Sequence, residues 1–582
     1  MNAGKRLKAE NKFMKNTDRT PEDNQRAQLE NEVVRLNKKI AKYEAIELKQ
    51  NRFGLVWLDV PEAFEDDVEN KLPILEEVPK LAIKSKDGKP AHLLIEGDNY
   101  HALTCLNYTH KGKVDVIYID PPYNTGSDGF KYKDKRFLKE YPDGTEVPVD
   151  HPLRHSYWLS FMKKRLELSK DLLKEEGIIF ISIDDNEHAQ LKMLCNEIFT
   201  ETNFVGTITW EKRTKAQNTE TAREMLQSKT EYILVYKNSP DKIKFKLEIT
   251  GDKKYELEDE RGLYRLKKVE EMSALGMRGR QTMIFPIEGI MPRKGYQWKF
   301  GKEEVNKYID RNDIEVIDQK VFFKIRPADE SNQTFLPFWS HFFDKDVYGT
   351  SERGKAELSK ILGSKEHEFE TVKPINLIKK LLFHVNKKDC IVLDFFAGSG
   401  TTGHAVMELN KADKGQRQFI LVTNNDEITN GKKYRIMTDI CYPRIKKAIK
   451  NYDSNSIRYF KTAFVGKNNI LSADDADKIE LAHNAGGMLA IAENTFDQVE
   501  QNNHWQIFES EEQYTAIYFR EEFSKFDDFI ERIKKLKKPI VVYIFSWEKE
   551  FEFDDFEDAR NVQVKTIPQP ILEIYKQIYN LI

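Results

Sequence analysis

A carboxylate, two prolines and an aromatic ring follow directly on an apolar run in this sequence. The run is Val114–Ile119, six mostly hydrophobic residues that predict a buried strand of a parallel sheet. Asp120-Pro121-Pro122-Tyr123 comes next. Proline cannot continue the hydrogen-bonded ladder of a strand and fixes its own φ, so these four residues predict a stiff turn. The turn follows the carboxyl end of the strand, which is where open α/β sheets bind their ligands.

This DPPY turn (residues 120–123) suits chemistry on the exocyclic amine of an aromatic base. Such an amine is a poor nucleophile, because its lone pair is delocalised into the ring. The Asp120 carboxylate and the Pro121 carbonyl, by accepting its two protons, would pull the nitrogen towards a tetrahedral form. Tyr123 would stack on the base after it leaves the double helix. A strand that ends in an ordinary Asp-Pro turn is the simpler interpretation, and the complete motif after a buried strand favours the chemical one.

A glycine-rich loop follows a second apolar run, residues 390–394, which predicts another strand. Gly398, Gly400 and Gly403 would allow a tight turn and a close approach of a ligand to the start of the next helix. Their spacing satisfies G-x-G-x-x-G, so a dinucleotide is one candidate, whereas a Walker loop is excluded because Gly-Lys-Ser/Thr does not occur in the sequence. Asp394 before the loop favours a cationic amino group over a pyrophosphate. S-adenosylmethionine carries both an ammonium and a sulfonium.

Two further segments are expected at the same edge of the sheet. Asp98 stands between a short predicted strand and the predicted helix 99–108, so it can cap the helix, contact the ligand, or do both. Lys373-Pro374 precedes the predicted helix 375–385 and would lie beside the glycine loop, where it could close the cofactor pocket. A proline at the start of a helix also has a purely structural interpretation.

Strands and helices alternate around these motifs. Predicted strands cover 92–95, 114–119, 178–183, 204–210, 231–236, 390–394 and 419–422, and predicted helices cover 99–108, 157–175, 186–199, 375–385 and 402–409. Gly177 is expected to end the second of these helices. The alternation is typical of a doubly wound α/β sheet.

The composition describes a globular protein that is not basic overall. The 582 residues are 40% hydrophobic and 32% charged, and the net charge of -3 means that any contact with nucleic acid must come from a local patch. Four scattered cysteines show no spacing typical of a metal site or a disulfide framework, which suits a reducing cytosol. No signal core or long apolar run is found, so we expect a cytoplasmic protein with no membrane association and no metal.

The remaining segments predict interaction surfaces. Between about 237 and 368 the alternation weakens, and basic and aromatic residues occur together among glycines. A charge run is usually a solvated face, but here the mixture favours a nucleic-acid surface. As DNA-binding cations we assign Lys212 and Arg213, which precede this segment, and Arg278, Arg280, Arg293 and Lys294 within it. Residues 21–49 predict an amphipathic helix, 51–89 an irregular connector, and 465–582 a separate α/β domain with a helix at 526–536 and strands at 540–545 and 562–566.

These motifs resemble those of the amino-group DNA methyltransferases. Asp120 to Tyr123 matches the catalytic D-P-P-Y of that family, and Asp394 to Gly400 matches its cofactor loop. The catalytic motif precedes the cofactor loop, which is the order of the permuted beta group. The similarity extends to the Mod subunits of type III restriction-modification systems at residues 51–57, 117–130, 178–187 and 371–378.

The resemblance implies an α/β S-adenosylmethionine-dependent methyltransferase fold with a seven-stranded, mostly parallel, Rossmann-like sheet. Its expected divisions are an N-terminal helix and connector (1–89), the catalytic half of the core (90–236), an inserted target-recognition domain (237–368), the cofactor-binding half (369–464) and a C-terminal interaction domain (465–582). The implied cofactor residues are Asp98, Lys373, Pro374, Asp394, Phe396, Ala397, Gly398, Ser399, Gly400 and Thr401.

The implied activity is methyl transfer from S-adenosylmethionine to the N6 amine of a flipped adenine in double-stranded DNA. The implied partners are a second copy of the chain, as a homodimer, and a helicase-nuclease (Res) subunit. Two alternatives stay open. One is methylation of the cytosine N4 amine, although the cytosine enzymes of the family usually have Ser where Asp120 stands. The other is a chain that acts mainly as the DNA-recognition subunit of a nuclease.

Overall fold

The fold was obtained as a computed structural model. It describes residues 55, 57, 72–84, 91–125, 151–215, 223, 226–239, 243–276, 279–331, 333–367, 369, 371–425, 427–429, 433–452, 456–465, 484, 486–519, 525–544, 556 and 561–567. The predicted N-terminal helix 21–49 and the cation Arg278 lie outside these residues.

The chain forms two compact units, Met1–Lys244 with Trp339–Ile582, and Phe245–Phe338. The first unit begins with β1 (Leu72–Glu77), β2 (His92–Glu96), α1 (Asn99–Thr109), β3 (Val114–Ile119), α2 (Ser156–Leu172), β4 (Leu173–Ile183), α3 (His188–Phe199), β5 (Phe204–Glu211) and β6 (Thr230–Lys237). The second unit holds β7 (Glu248–Asp252), β8 (Leu257–Asp259), β9 (Gly262–Lys268), β10 (Glu271–Ser273), β11 (Tyr296–Trp298), α4 (Lys302–Asp310), β12 (Ile314–Ile317), β13 (Lys320–Ile325) and β14 (Gln333–Leu336).

The first unit then resumes around the glycine-rich loop. Its next elements are β15 (His341–Phe342), α5 (Lys345–Tyr348), α6 (Ser351–Leu362), α7 (Ile375–Val385), β16 (Ile391–Asp394), α8 (Thr401–Asp413), β17 (Gln418–Thr423), β18 (Glu427–Thr429), β19 (Lys433–Arg435), a π-helical segment (Ile436–Cys441), α9 (Tyr442–Tyr452) and β20 (Ile457–Val465). The C-terminal elements are a helical segment at 486–492, β21 (Asp497–Gln501), β22 (Trp505–Glu509), β23 (Tyr514–Tyr518), α10 (Phe526–Lys534), β24 (Ile540–Ile544) and β25 (Val562–Lys565).

One ten-stranded sheet organises the first unit, in the order β1-β20-β2-β17-β16-β3-β4-β6-β5-β15. The six strands from β20 to β4 pair in parallel, as do β5 and β15, while β1, β6 and their neighbours pair antiparallel. The predicted α/β class is confirmed. The sheet is larger than the implied seven strands because β1, β20 and β15 extend its two edges.

Helices cover both faces of this sheet. On one face, side chains of α1, α2 and α3 share a core with strand residues such as Ile420 and Val422. On the other face α8 approaches Phe419 and Leu421, which alternate with them along β17. Strands covered on both sides must be apolar throughout, and β3 and β17 are indeed buried over their whole length.

Two local predictions were wrong. Gly177 does not end α2; the helix stops at Leu172 and Gly177 lies within β4, at a place so tight that a Cβ would meet Leu173 Cδ2 at 2.8 Å. Residues 174–176 are good helix formers, but Leu173 and Ile178 on either side of them pair with β3, and the register shifts between these two pairs. Residues 72–77, predicted to be irregular, form the edge strand β1, where Pro73 is tolerated because an edge leaves backbone donors unused.

The C-terminal residues form a five-stranded sheet in the order β21-β22-β23-β24-β25. Its predicted helix and two last strands are present, and the sequence reading missed β21, β22 and β23. The segment that leads into this sheet packs on the main core: Ile491 belongs to the core of the large sheet, and Lys113 Nζ donates to Ala492 O at 3.1 Å. In the described residues, no helix has the length and apolar character needed to cross a membrane.

Candidate active site

The DPPY turn begins where β3 ends. The Tyr123 hydroxyl donates to Asp120 Oδ1 at 2.6 Å, and Trp158 Nε1 of α2 donates to Pro122 O at 2.8 Å. Asn124 follows with a φ of +57°, in the left-handed region. Two prolines, two side-chain hydrogen bonds and this left-handed residue hold the turn in one shape, so the Asp120 carboxylate has a defined direction.

The ammonium of Lys373 lies on the DPPY turn. Lys373 Nζ is 2.8 and 2.9 Å from the two carboxylate oxygens of Asp120, and it donates to the Tyr123 hydroxyl at 2.9 Å. The side chain is only 9% exposed. The sequence reading assigned Lys373 to the cofactor pocket, whereas the structure directs its charge to the carboxylate of the DPPY turn, 253 residues earlier in the chain.

A second carboxylate completes this cluster. Glu231 at the start of β6 is buried, with Oε2 3.1 Å from Lys373 Nζ and Oε1 3.0 Å from Lys212 Nζ. Two carboxylates therefore face two ammonium groups, and the buried charges balance. Lys212 was predicted to contact DNA; its side chain is 12% exposed and paired with Glu231, and the DNA contact stays a prediction. Glu231 was missed, because its only signal is one acid at the head of an apolar strand.

The charges of the cluster stabilise one another. Burial alone would lower the pKa of Lys373, but Asp120 and Glu231 beside it raise its pKa overall. Burial would raise the pKa of Glu231, but Lys373 and Lys212 lower it. Burial and the Asp120 charge hold the pKa of Tyr123 well above its usual value. Lys373 thus stays charged and Tyr123 stays a neutral donor at neutral pH.

The glycine loop (residues 395–403) lies one strand away from the DPPY turn. β16 pairs in parallel with β3, with Leu393 opposite Ile117, so Asp394 and Asp120 follow neighbouring strands at the same edge. The Asp394 carboxylate is buried and accepts hydrogen bonds from Phe396 N at 3.0 Å and Thr402 Oγ1 at 2.5 Å. Burial raises the pKa of Asp394 to about 7. A cation bound beside Asp394 would stabilise its charged form and lower this pKa again, so the carboxylate suits an ammonium group as its ligand.

The three glycines of the loop have different surroundings. A Cβ on Gly400 would lie 3.0 Å from Cys441 Sγ, and one on Gly403 would lie 2.8 Å from Ile445 Cδ1. Gly398 has a φ of +47° and a Cβ there would meet nothing nearer than 3.8 Å. Gly400 and Gly403 are therefore required for packing against the segment before and within α9, whereas Gly398 presents the side of the loop with room for a ligand.

Asp98 caps α1 and links it to the glycine loop. Its carboxylate accepts from Tyr100 N at 2.7 Å, so the predicted cap is confirmed. Arg165 Nη2 lies 3.2 Å from the same oxygen. Asn99 accepts from Arg165 Nε at 2.5 Å and donates through Nδ2 to Phe395 O at 2.9 Å. Neither Arg165 nor Asn99 was predicted, and the contact of Asp98 with a ligand stays a prediction.

Comparison with known proteins identifies the family. Residues 114–433, which hold the DPPY turn and the glycine loop, match the family described as DNA methylase. The EcoPI Mod subunit of Escherichia phage P1, a type III restriction-modification enzyme, is 32% identical over 73% of this chain and 72% of its own. The StyLTI Mod subunit of Salmonella typhimurium is 33% identical over 70% and 66%. The type II methyltransferase M.KpnI of Klebsiella pneumoniae is 31% identical over 63% and 88%.

The chain belongs to the Mod-type DNA methylases. In this DNA methylase the other predicted loop residues lie where the glycine loop meets the core. Phe396 is half-buried, Ala397 is buried, and Ser399 and Thr401 turn their hydroxyls to Arg444 of α9. Pro374 is the residue before the first turn of α7 and is buried.

The second unit of the methylase carries the remaining predicted cations on its surface. Arg280 and Lys294 are exposed. Arg293 is 70% exposed, pairs with Glu271 Oε2 at 2.5 Å and lies over the ring of Tyr296. Arg213, in the first unit, is half-buried. These positions leave the DNA-binding assignment of all four cations as a prediction.

Substitution of Asp394 by asparagine should make the methylase more stable at high pH when no ligand is bound. The folded-state pKa of about 7 lies above the ordinary value of 3.8, so the stability that the protonated carboxyl contributes is fully present below about pH 4 and is lost as the pH rises through 7. The amide of the variant cannot ionise. The free energy of unfolding of Asp394→Asn, taken relative to that of the wild type, should therefore rise by about 2–3 kcal/mol between pH 5 and pH 8. Thermal unfolding at both pH values measures this, with the exposed Asp528→Asn as control. A difference that does not change with pH would contradict the assignment.

Proposed function

We propose that this chain transfers a methyl group from S-adenosylmethionine to the N6 amine of an adenine flipped out of double-stranded DNA. The observation that carries the proposal is the Asp120 carboxylate, fixed by Tyr123 and Lys373 on a stiff turn one strand away from Asp394 and the glycine loop. A group that can orient an amine and a loop that suits an amino-acid cation thus lie at one edge of the sheet.

Asp120 is able to accept the amine while Lys373 stays in place. A carboxylate offers about four acceptor positions, and the Asp120 side chain keeps 33% of its surface exposed although Lys373 and Tyr123 already bind it. Pro121 O supplies the second acceptor, since Pro122 O is already occupied by Trp158. Accepting both amine protons frees the nitrogen lone pair, and the charge that develops on nitrogen is stabilised by the Asp120 carboxylate.

Lys373 acts as a positioning residue in this proposal. Its ammonium is anchored by the buried Glu231, so it holds Asp120 from the protein side and leaves the opposite edge to the base. Because Lys373 is charged, it cannot accept the proton that the amine loses, so this proton passes to the Asp120 carboxylate and leaves to solvent from the exposed part of that side chain. Tyr123 stacks on the base, and its hydroxyl keeps Asp120 in the required rotamer.

The glycine loop fits the cofactor. When bound, S-adenosylmethionine supplies the methyl group from its sulfonium. Asp394 binds the ammonium, Gly398 gives the space for the amino-acid moiety, and Asp98, Phe396, Ala397, Ser399, Gly400, Thr401 and Pro374 complete the pocket. Support comes from the raised pKa of Asp394, which a cation would relieve, and from the open side of Gly398.

The type of methylated base tests the proposal. The protein is incubated with DNA and S-adenosylmethionine labelled in its methyl group, and the DNA is digested to nucleosides that are identified by mass spectrometry. N6-methyl-2′-deoxyadenosine is expected. N4-methylcytosine would support the alternative substrate, and labelled cofactor bound without any methylated nucleoside would support a chain that mainly recognises DNA.

Sequence recognition belongs to the second unit in this proposal. Replacing Arg280, Arg293 and Lys294 together by alanine should weaken DNA binding and lower its dependence on salt. With fewer phosphate contacts, fewer counterions are released from the DNA when the protein binds. Replacing a cation that reads a base should instead cost about 1–3 kcal/mol of binding free energy and relax the sequence specificity at one position of the recognition site. Titration of DNA at several salt concentrations measures both effects. Alanine at three other exposed lysines of this unit, Lys302, Lys307 and Lys320, is the control, and an unchanged salt slope in the first variant would refute the patch.

Assembly with partners is the last part of the proposal. A homodimer built by the methylase core and the amphipathic segment 21–49 would bind a helicase-nuclease (Res) subunit through the C-terminal domain. The support is the family, together with an acidic run at 548–558, which suits a basic partner.

Neutralising this acidic run should separate recognition of the partner from methylation. Replacement of its acids, Glu548, Glu550, Glu552, Asp554, Asp555, Glu557 and Asp558, by their amides should abolish co-purification of the nuclease subunit and leave DNA methylation unchanged. Co-purification from cells that express both subunits measures this. Retained binding of the nuclease subunit by the neutral variant would place the docking surface elsewhere.

A further inference from the structure

Arg444 of α9 is a fully buried guanidinium beneath the glycine loop. Its Nη1 donates to Thr401 Oγ1 at 2.8 Å and to Ser399 Oγ at 3.0 Å, and it lies 3.4 Å from Ser399 O. Nε donates to His404 Nδ1 at 3.4 Å. Nη2 is buried and has no hydrogen-bond partner in the described part of the chain. The guanidinium thus binds two of the loop's three hydroxyl side chains, and its Nη2 has a donor group to spare.

This cation lacks an ion pair. Among the described residues, no carboxylate oxygen lies within 4.0 Å of Arg444, whereas the equally buried Arg417 at the other end of α8 pairs with Asp413 at 2.8 Å. Burial lowers the pKa of Arg444 to about 10, so the group stays charged at neutral pH. Burial also lowers the pKa of His404 to about 4, which leaves that ring neutral and able to accept from Arg444. A buried charge that has hydrogen bonds but no ion pair is costly, and such groups call for a functional explanation.

We propose that Arg444 provides the positive charge that selects the carboxylate of the cofactor's amino-acid moiety, acting through Ser399, Thr401 and the first turn of α8. α8 begins at Thr401, so its unpaired amides and dipole already favour an anion at that point. The Arg444 charge adds to this field in a region from which water is excluded. Asp394, the residue before the loop, carries the opposite charge, and its carboxylate accepts from Thr402 in this same first turn of α8. The loop then matches both charges of a zwitterion, Asp394 the ammonium and Arg444 the carboxylate.

If Arg444 had only a structural role, the loss of affinity on its removal would vary differently from one ligand to another. If Arg444 only holds the loop in shape, its removal should weaken every ligand of the loop by the same factor. If Arg444 recognises the carboxylate, removal should weaken only ligands that carry one. This inference rests on the proposed function, and binding to the wild-type protein distinguishes failure of one from failure of the other. If the wild-type protein binds neither of the two cofactor analogues named below, the proposed function itself is refuted.

The test compares two ligands by calorimetry on the full-length protein. S-adenosylhomocysteine carries the amine and the carboxylate, and S-adenosyl-3-thiopropylamine carries the amine alone. For Arg444→Met we expect at least a tenfold loss of affinity for the first ligand and less than a twofold change for the second. Arg444→Lys, which keeps the charge but not both hydrogen bonds, should recover part of the loss. Arg417→Met removes a guanidinium of equal burial away from the loop and should leave the ratio of the two affinities unchanged.

Equal losses for the two ligands in both Arg444 variants would overturn the proposal and leave Arg444 as a brace. If Arg444→Met does not fold, as judged by its thermal unfolding, the Arg444→Lys variant decides alone. In that case a selective loss for S-adenosylhomocysteine supports the proposal, and an unchanged ratio of affinities refutes it.

Discussion

Asp120→Ala should abolish methyl transfer while S-adenosylmethionine still binds. The Asp120 carboxylate is the acceptor that orients the amine, and removal of such a preorganised group costs a factor of at least about a hundred in rate. Asp394 and the glycine loop lie on the neighbouring strand and do not depend on Asp120 for a hydrogen bond. Lys373 retains Glu231 as a partner in the variant, so the cluster keeps one of its ion pairs.

Single-turnover transfer of labelled methyl groups and calorimetry with the cofactor measure the two halves of this expectation. Asp120→Asn keeps the volume of the side chain and is the second variant, because it separates loss of the charge from loss of packing. Asp185→Ala, an acid that follows the neighbouring strand β4 and accepts from Tyr232, should transfer at the wild-type rate. Loss of cofactor binding together with an unaltered residual turnover would contradict the role given to Asp120.

Gly398→Asp should remove binding of S-adenosylmethionine without unfolding the protein. A φ of +47° is a conformation that aspartate tolerates better than most residues, and a Cβ at this position meets nothing nearer than 3.8 Å. The new side chain therefore fills the ligand side of the loop rather than the core. Its carboxylate also adds a negative charge near Asp394, so we expect a loss of at least about a hundredfold in affinity, close to 3 kcal/mol.

Substitutions at the other two glycines provide the contrast. Gly403→Ala would bring a Cβ to 2.8 Å from Ile445 Cδ1, and Gly400→Ala would bring one to 3.0 Å from Cys441 Sγ. These variants should lower the melting temperature, whereas Gly398→Asp, which adds the strain of a positive φ but no close contact, should lower it less and lose the ligand. Calorimetry that shows wild-type affinity in Gly398→Asp would exclude the open side of the loop as the cofactor site.

Local patterns account for what could be predicted from the sequence. Asp120 and Asp394 each follow a short apolar strand, and the carboxyl ends of parallel strands share one edge, so their proximity follows from the alternation of strands and helices. The cap at Asp98 likewise needs only the residues next to it. The identity of the family came from the same short motifs.

The features that could not be predicted from the sequence depend on contacts between segments that are far apart in the chain. The ion cluster joins Asp120, Lys212, Glu231 and Lys373 from four separate strand and helix ends, and no periodicity links them. A lysine next to an insert rich in cations is typical of a DNA contact, and the sequence gives no sign that Lys212 also pairs with Glu231. Arg444 was missed for the same reason, since one arginine in an amphipathic helix is ordinarily a surface residue.

The order of the strands has a consequence for synthesis of the protein. β16 and β17 lie between β3 and β2 in the sheet, yet both are translated after the whole second unit. Until the ribosome has passed residue 423, β2 and β3 lack their partners β17 and β16, and before residue 373 Asp120 also lacks Lys373. A gene interrupted by a stop codon before that point would encode a polypeptide with a split sheet, so we expect it to be degraded rather than to persist as a DNA-binding fragment.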